Sequence, residues 1–233
     1  MIEPHSGILK TAFFFMLHEQ NGIFEIVALS LRVSSQAVLY AALSGIPLGA
    51  MLAISRFRGR HYIVGFLHAF MALPPVFAGL VVYLALSRAS PLGFLGLLYT
   101  PAAMIAAQTI VIFPITLSLS IQLIEERYKH YQELFDSLCL SFLGRVRILM
   151  WECRGGLTVV CLAAFGRAIS EVGAVLIVGG NIYGFTRVMT TTIALETSKG
   201  NLAFALALGI ILLTISVTIN LLVAFSRPIL QGI

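Results

Sequence analysis

Val33-Ser-Ser-Gln-Ala-Val-Leu-Tyr-Ala-Ala-Leu-Ser-Gly-Ile-Pro-Leu-Gly-Ala-Met-Leu-Ala-Ile54 runs for 22 residues without a charged side chain. A helix of that length, rising ~1.5 Å per residue, covers the ~30 Å of a bilayer's hydrocarbon. Lipid offers no water to backbone N–H and C=O groups, so a crossing segment has to satisfy them internally, as a helix does. Tyr62–Ser87, Pro101–Ile124 and Leu202–Ala224 are charge-free runs of the same kind, and Leu157–Val178 is interrupted only by Arg167 and Glu171. Across all 233 residues 59% are hydrophobic and 11% charged, where a soluble domain carries roughly 25% charged residues. The expectation is an all-α integral membrane protein, a polytopic bundle of about five transmembrane helices. Pro47, Pro74, Pro75 and Pro114 fall inside these runs and predict kinks.

The loops between the runs orient the bundle. Arg56, Arg58 and Arg60 separate the first two runs, and Arg127, Lys129, Arg145, Arg147 and Arg154 lie between the third and fourth. The remaining loops carry only Arg88, and Arg187 with Lys199. Cytoplasmic loops carry the excess of Lys and Arg, so the arginine-rich loops face inward, with the N-terminus outside and the C-terminus inside. The division is an N-terminal interfacial segment over 1–32 and a transmembrane domain over 33–225, with a cytoplasmic loop at 125–156. Lys10, Glu19 and Glu25 argue against a sixth span in the first segment. No short apolar core with an A-x-A site follows the start, so no cleaved signal peptide is expected.

A net charge of +5 that is dispersed over loops fits membrane lipid and topology, not a nucleic-acid groove. Cys139, Cys153 and Cys161 are odd in number and lack CxxC spacing, which speaks against a disulfide framework or a zinc site. No phosphate-binding G-x-x-x-x-G-K-[ST], H-E-x-x-H or G-x-S-x-G motif occurs, and the five histidines are scattered. The chain reads as a transport subunit and not an enzyme.

Within the 125–156 loop, Leu134, Leu138 and Phe142 recur every four residues beside Phe135, while Glu133, Asp136, Ser137 and Ser141 point elsewhere. The pattern predicts a short amphipathic helix stopped near Gly144, facing the inner membrane surface or a protein partner. Arg167 and Glu171 sit one helical turn apart inside an apolar run, each costing at least ~2.5 kcal/mol at mid-bilayer on insertion scales. Their spacing places them on one face, where they either form a structural ion pair or line a water-filled path. Gly45 and Gly49 make a GxxxG pattern, which predicts a helix-packing face. Gly179–Asn201, with Thr190, Thr191 and Thr192, is too polar for a span and reads as an outer loop or dipping helix.

Tyr131-Gln-Glu-Leu-Phe-Asp-Ser-Leu-Cys-Leu-Ser141 with Arg145–Glu152 resembles the EAA loop of ABC importer permeases. Glu133 stands at the first position, Leu134 and Phe135 at the alanines, Cys139 at the glycine, and Trp151-Glu152 at the leucine-proline pair. Gly166-Arg-Ala-Ile-Ser-Glu-Val-Gly-Ala174 resembles the RAxGEFGA segment of molybdate, sulfate and tungstate permeases. Ile177–Ile182, Arg187–Thr192 and Leu195–Gly200 look most like the tungstate branch. The resemblance covers roughly residues 30 to 225.

It implies a homodimeric permease carrying an oxyanion, tungstate foremost, with molybdate or sulfate as alternatives. An ABC ATPase holding ATP and Mg, and an extracytoplasmic tungstate-binding protein, would be its partners; this chain itself would hold no cofactor. The implied ATPase-coupling residues are Glu133, Leu134, Phe135, Leu138, Cys139, Ser141 and Trp151. Arg167, Ser170 and Glu171 would line the translocation path, and Thr190, Thr191 and Lys199 the outer mouth. The rival reading, a secondary transporter or channel working without an ATPase, calls for inverted repeats and more embedded charge, and no repeat is visible.

Overall fold

A computed structural model describes residues 22–231, with side chains over 22–222. Every regular element in that range is helical: α1 (Ile23–Ile54), α2 (Arg60–Ala69), α3 (Pro75–Leu86), α4 (Pro101–Ser137), α5 (Phe142–Glu152), α6 (Arg154–Ile169), α7 (Gly173–Gly179), α8 (Met189–Ser198) and α9 (Leu202–Gln231). Helices α1, α4 and α9 are each long and apolar enough to cross a membrane. Two broken pairs reach the same length, α2 with α3 bent by 96° and α5 with α6 bent by 71°, giving up to five crossings. The chain is thus a polytopic helical membrane protein.

The packing follows from small residues. Helix α1 lies along α4, and the Gly45/Gly49 face is what lets it approach. A Cβ on Gly45 would stand 2.7 Å from Thr116 Oγ1, and one on Gly49 2.9 Å from the Ser120 Cβ. Ala41, Gly45 and Gly49 therefore form a smooth strip against Thr116 and Ser120, and Thr116 Oγ1 donates to the Ala41 carbonyl across it (3.3 Å). Helices α3 and α7 approach as closely and against backbone, since a Cβ on Gly79 would lie 2.7 Å from the Ala174 Cα. In lipid, where helices gain little from burying apolar surface, such close van der Waals contact is a main source of association.

Prolines act unequally. Leu73-Pro74-Pro75 breaks the second run: Leu73 and Pro74 are extended, and Pro75 opens α3 at a first-turn position that needs no N–H. Pro47 and Pro114 sit inside α1 and α4, which run on through them. The expected boundary at residues 32 and 33 coincides with no helix end, because α1 continues unbroken from Ile23, with Glu25 and Arg32 on its exposed side. The rest of the expected interfacial segment, 1–21, lies outside the described residues.

The expected fourth run, Leu157–Val178, is two helices and not one. Helix α6 stops at Ile169 and α7 starts at Gly173, leaving Ser170, Glu171 and Val172 between them. The third run is longer than its apolar stretch, since α4 continues past Ile124 through thirteen further residues to Ser137. The amphipathic pattern of Leu134, Leu138 and Phe142 is likewise not one helix. The chain turns at Cys139, whose φ is 48°, and Ser141 starts α5 by accepting the Gly144 N–H at 3.3 Å.

Candidate functional site

The break between α6 and α7 is built around one carboxylate. Glu171 is buried, with 5% of its side chain exposed, and its Oε2 takes a 2.7 Å bond from Arg167 Nη1. Its Oε1 accepts the Gly173 and Ala174 N–H groups at 3.0 and 3.3 Å, so it caps the first turn of α7. A carboxylate at a helix N-terminus also lies favourably in the helix dipole. The carbonyl of Glu171 accepts from Thr190 Oγ1 at 2.8 Å, which ties α8 to the same point. On the other side, Gln108 Nε2 of α4 donates to the Ala168 carbonyl at 3.0 Å, while Gln108 Oε1 is buried without a partner.

Arg167, Ser170 and Glu171 are therefore together, as the sequence places them, but they differ in what they can reach. Glu171 has every oxygen engaged. Arg167 is 39% exposed and Ser170 is exposed, with its hydroxyl turned back to the Arg167 carbonyl (3.0 Å). The part of the guanidinium not bonded to Glu171 is the exposed charge at this break, and its fork has the shape that suits an oxyanion. Gln108 and Thr190 were absent from the sequence reading of this cluster. Gln108, an amide within a charge-free run, was the available signal.

The segment over 179–201 is more self-contained than its polarity suggests. Thr190 and Thr191 are buried; Thr191 Oγ1 donates to Asn181 Oδ1 (3.0 Å) and accepts the Val188 N–H (3.2 Å). These two residues hold the start of α8 in place and present nothing to solvent. Lys199 is exposed, and pairs with Glu196 at 3.0 Å, while Asn201 donates to the other Glu196 oxygen at 2.9 Å. Burial works to raise the Glu196 carboxyl, but the Lys199 and Asn201 hydrogen bonds and the Lys199 and Arg187 charges outweigh it. They hold it below its ordinary range.

At the opposite end of α4, the turn before α5 carries an apolar surface. Leu134, Leu138, Phe142 and Leu143 are exposed at 51%, 60%, 42% and 70%, beside exposed Glu133 and Cys139. Phe135 faces the other way, 2% exposed in a cluster with Tyr128 and Ile124, so it supports the turn from beneath. Arg145 fixes the reversal: Nε donates to the Leu140 carbonyl (2.9 Å) and Nη1 to Asp136 Oδ1 (2.7 Å). Ser141 is spent on the cap, and Trp151 is exposed with the Arg154 guanidinium 5.0 Å above its ring. The sequence placed Arg145 among the inward-facing arginines and in the EAA-like stretch, but not as the residue that fixes the turn, though its position nine residues after Asp136 spans it.

Helices long and apolar enough to cross a membrane, a polar break built around one carboxylate and an exposed apolar turn fit a membrane transport subunit. The comparisons give the same class: the chain belongs to the permease proteins of ABC anion transporters. It is 44% identical over 198 residues to the tungstate uptake system permease protein of Peptoclostridium acidaminophilum, covering 85% of this chain and 87% of that one. A probable anion ABC transporter permease protein of Haloferax volcanii is 39% identical over 215 residues, 90% of this chain and 93% of its own. The molybdenum transport system permease protein of Mycobacterium tuberculosis is 26% identical over 213 residues, 86% of this chain and 78% of its own. No protein-family model matches the chain.

Proposed function

We propose that this chain is the membrane-spanning subunit of an ATP-driven tungstate importer, working as a homodimer with two ATPase subunits and an extracytoplasmic binding protein. The observation that carries the reading is the similarity, over 85% of the chain, to a permease named for tungstate uptake. The exposed turn at Leu134, Leu138, Phe142 and Leu143 supports an ATPase partner. Apolar side chains held rigidly by Arg145 beyond the end of a span offer a preformed knob, and a knob of this kind fits a hydrophobic groove. Tungstate would be handed to the outer face near Lys199 and pass the break at Arg167 and Ser170, with Glu171 keeping that arginine from holding a dianion too firmly. Thr190 and Thr191 serve the outer mouth by fixing α8. ATP binding at the partner closes the ATPases and, through the turn, switches the bundle between inward-open and outward-open states.

Uptake tests this directly. The chain is co-expressed with the ATPase and binding protein and reconstituted in proteoliposomes, and ATP-dependent tungstate uptake is measured against a molybdate competitor. Uptake that continues without any ATPase subunit refutes the reading. Preference for molybdate shifts the substrate to that oxyanion within the same type of permease.

Orientation is tested by single cysteines placed at Arg58 and Arg88 after Cys139, Cys153 and Cys161 are replaced by serine. The expected result is labelling of position 58 from the cytoplasm and of position 88 from outside. Labelling of both from one side overturns the topology.

A further inference from the structure

Where α1 ends at Ile54, the chain turns through Ser55-Arg-Phe-Arg-Gly-Arg60 before α2. This loop and the adjoining stretch of α4 enclose a cavity of about 480 Å³, whose lining includes Arg56, Arg58, Arg60, Lys129, Glu125 and Tyr128. The cations in it are not equivalent. Arg60 is committed: its Nε donates to the Leu52 carbonyl at 2.8 Å, and its Nη2 to the Ala53 carbonyl at 3.3 Å and Glu125 Oε2 at 2.7 Å. It ties off the last turn of α1 and neutralises the carboxylate that lines the cavity. Arg56, Arg58 and Lys129 have no carboxylate partner among the described residues. Of the other acids on α4, Glu126 and Glu133 are exposed, do not line the cavity and form no ion pair with these cations, and Asp136 lines an adjoining cavity and is already held by Arg145 at 2.7 Å.

Three unpaired cations around one hollow repel one another, and the arrangement is relieved by an anion that several of them share. The surroundings say where this hollow lies. Phe57 in its lining and Tyr62, two residues after Arg60, are 45% and 80% exposed, and Ile63 and Phe66 continue the exposed apolar residues along α2. Exposed aromatic rings at the end of a span mark the level of lipid headgroups. The carbonyls at the C-terminal end of α1 add negative potential that keeps the arginines close to the helix end. The volume exceeds what a tetrahedral oxyanion needs and leaves room for the ester arms of a headgroup.

We infer that this cavity binds a tetrahedral oxyanion through Arg56, Arg58 and Lys129, carried either as the phosphate of an anionic phospholipid or free in solution. Arg56 also borders the neighbouring cavity of about 340 Å³ formed with Tyr128, Asp136, Leu140, Phe142 and Arg145. An occupant therefore sits one side chain away from the turn that presents Leu138. The inference rests on this charge arrangement and not on the identity of the transported anion.

The complete transporter, permease with ATPase, is purified from vesicles of phosphatidylcholine and phosphatidylglycerol in equal parts, and native mass spectrometry reads which lipid stays bound. The parental protein is expected to retain phosphatidylglycerol in preference to phosphatidylcholine. The triple variant Arg56→Gln/Arg58→Gln/Lys129→Gln is expected to lose that preference, by about fivefold for each cation removed, the factor that ~1 kcal/mol per Lys or Arg near an anionic surface represents. Arg88→Gln, in a different loop, is expected to keep it. The second arm uses phosphatidylcholine alone and titrates inorganic phosphate and then tungstate, following thermal stability. Stabilisation of the parent but not of the triple variant assigns the site to a free oxyanion, whereas lipid retention in the first arm assigns it to a headgroup. Because the replaced side chains are solvent-exposed, Arg58→Gln alone serves as a milder variant should the triple express poorly. If parent and variants are indistinguishable in both arms, the site does not exist.

Discussion

Replacing Glu171 separates its two roles, because its two oxygens do different work. Glu171→Ala removes the ion pair to Arg167 and also strips the acceptor from the Gly173 and Ala174 N–H groups. Losing a helix cap costs about 1 kcal/mol, and leaving a buried N–H such as that of Ala174 unmade costs about 1–3 kcal/mol. Arg167 is 39% exposed, so its share of the pair is screened and adds no more than about 1 kcal/mol. The expected loss is about 2–5 kcal/mol for Glu171→Ala. Glu171→Gln keeps an oxygen for the cap and gives up only the charge, so about 1–2 kcal/mol is expected. Arg167→Ala leaves a buried carboxylate that still has two N–H donors, and it falls between the other two. The combination Arg167→Ala with Glu171→Gln removes both charges and preserves the cap. It is expected to be more stable than the sum of its single changes by about 1 kcal/mol, within the 0.5–3 kcal/mol range of coupled neighbours. Unfolding of the purified transporter in detergent gives the stabilities, and tungstate uptake by the same variants gives the function. If Glu171→Gln is as damaging as Glu171→Ala, the capping argument is wrong. Additivity within ~0.5 kcal/mol refutes the pairing. If the neutral double variant folds, binds the ATPase and transports normally, Arg167 has no contact with the anion.

Other outcomes follow from the same geometry. Leu138→Asp places a carboxylate on the exposed docking turn and is expected to abolish ATPase association, at a cost of several kcal/mol at a buried contact, while the chain still inserts; co-purification at the parental level rules that surface out. Gly79→Val has no room, with Ala174 backbone 2.7 Å from the new Cβ, and should cost about 1–3 kcal/mol or more, whereas Gly65→Ala, with nothing within 4 Å, should be neutral or stabilising by up to ~1 kcal/mol in thermal unfolding. Glu196 titrates below its ordinary 4.5, so the stability it contributes is full above that pH and is lost as pH falls through the lowered value. Glu196→Gln is expected to remove that part of the acid sensitivity, and melting curves from neutral to acid pH that superimpose for parent and variant would contradict it.

The crossings were legible where the chain is uniform. Val33–Ile54, Pro101–Ile124 and Leu202–Ala224 each lie within one long helix, because absence of charge over ~20 residues leaves lipid few alternatives. The break at Leu73-Pro74-Pro75 was legible for a steric reason, two successive prolines that remove backbone donors. The break at 170–172 was not, since apolar residues continue on both sides of it. Its trace was a carboxylate placed two and three residues before the N–H groups of Gly173 and Ala174, a pattern that reads as easily as an ion-pair partner. Hydropathy also ended α4 too soon. Glu125, Arg127 and Lys129 continue a helix well, so the end of the apolar run at Ile124 is not the end of the helix. The turn at Cys139 was hidden because Leu134, Leu138 and Phe142 keep a helical period across it, and a period cannot register one residue entering the left-handed region. The exposed apolar turn was legible in composition but not in facing: Phe135 is beneath the surface that Leu134 and Leu138 form. For Thr190 and Thr191, polarity suggested exposure, yet their hydroxyls are consumed by Glu171, Asn181 and Val188.

Gly79 against Ala174 leaves no clearance for relative sliding of α3 and α7, so a load on either is shared by both. Each is hung at its start from a corner, α3 from Leu73-Pro74 and α7 from Ser170–Val172. Two rods in lateral contact with separate pivots form a linkage: tilting one obliges the other to swing with it. Compliance in the bundle is thereby concentrated at the two corners, and mutations that stiffen a corner should slow alternation between conformations without altering either end state.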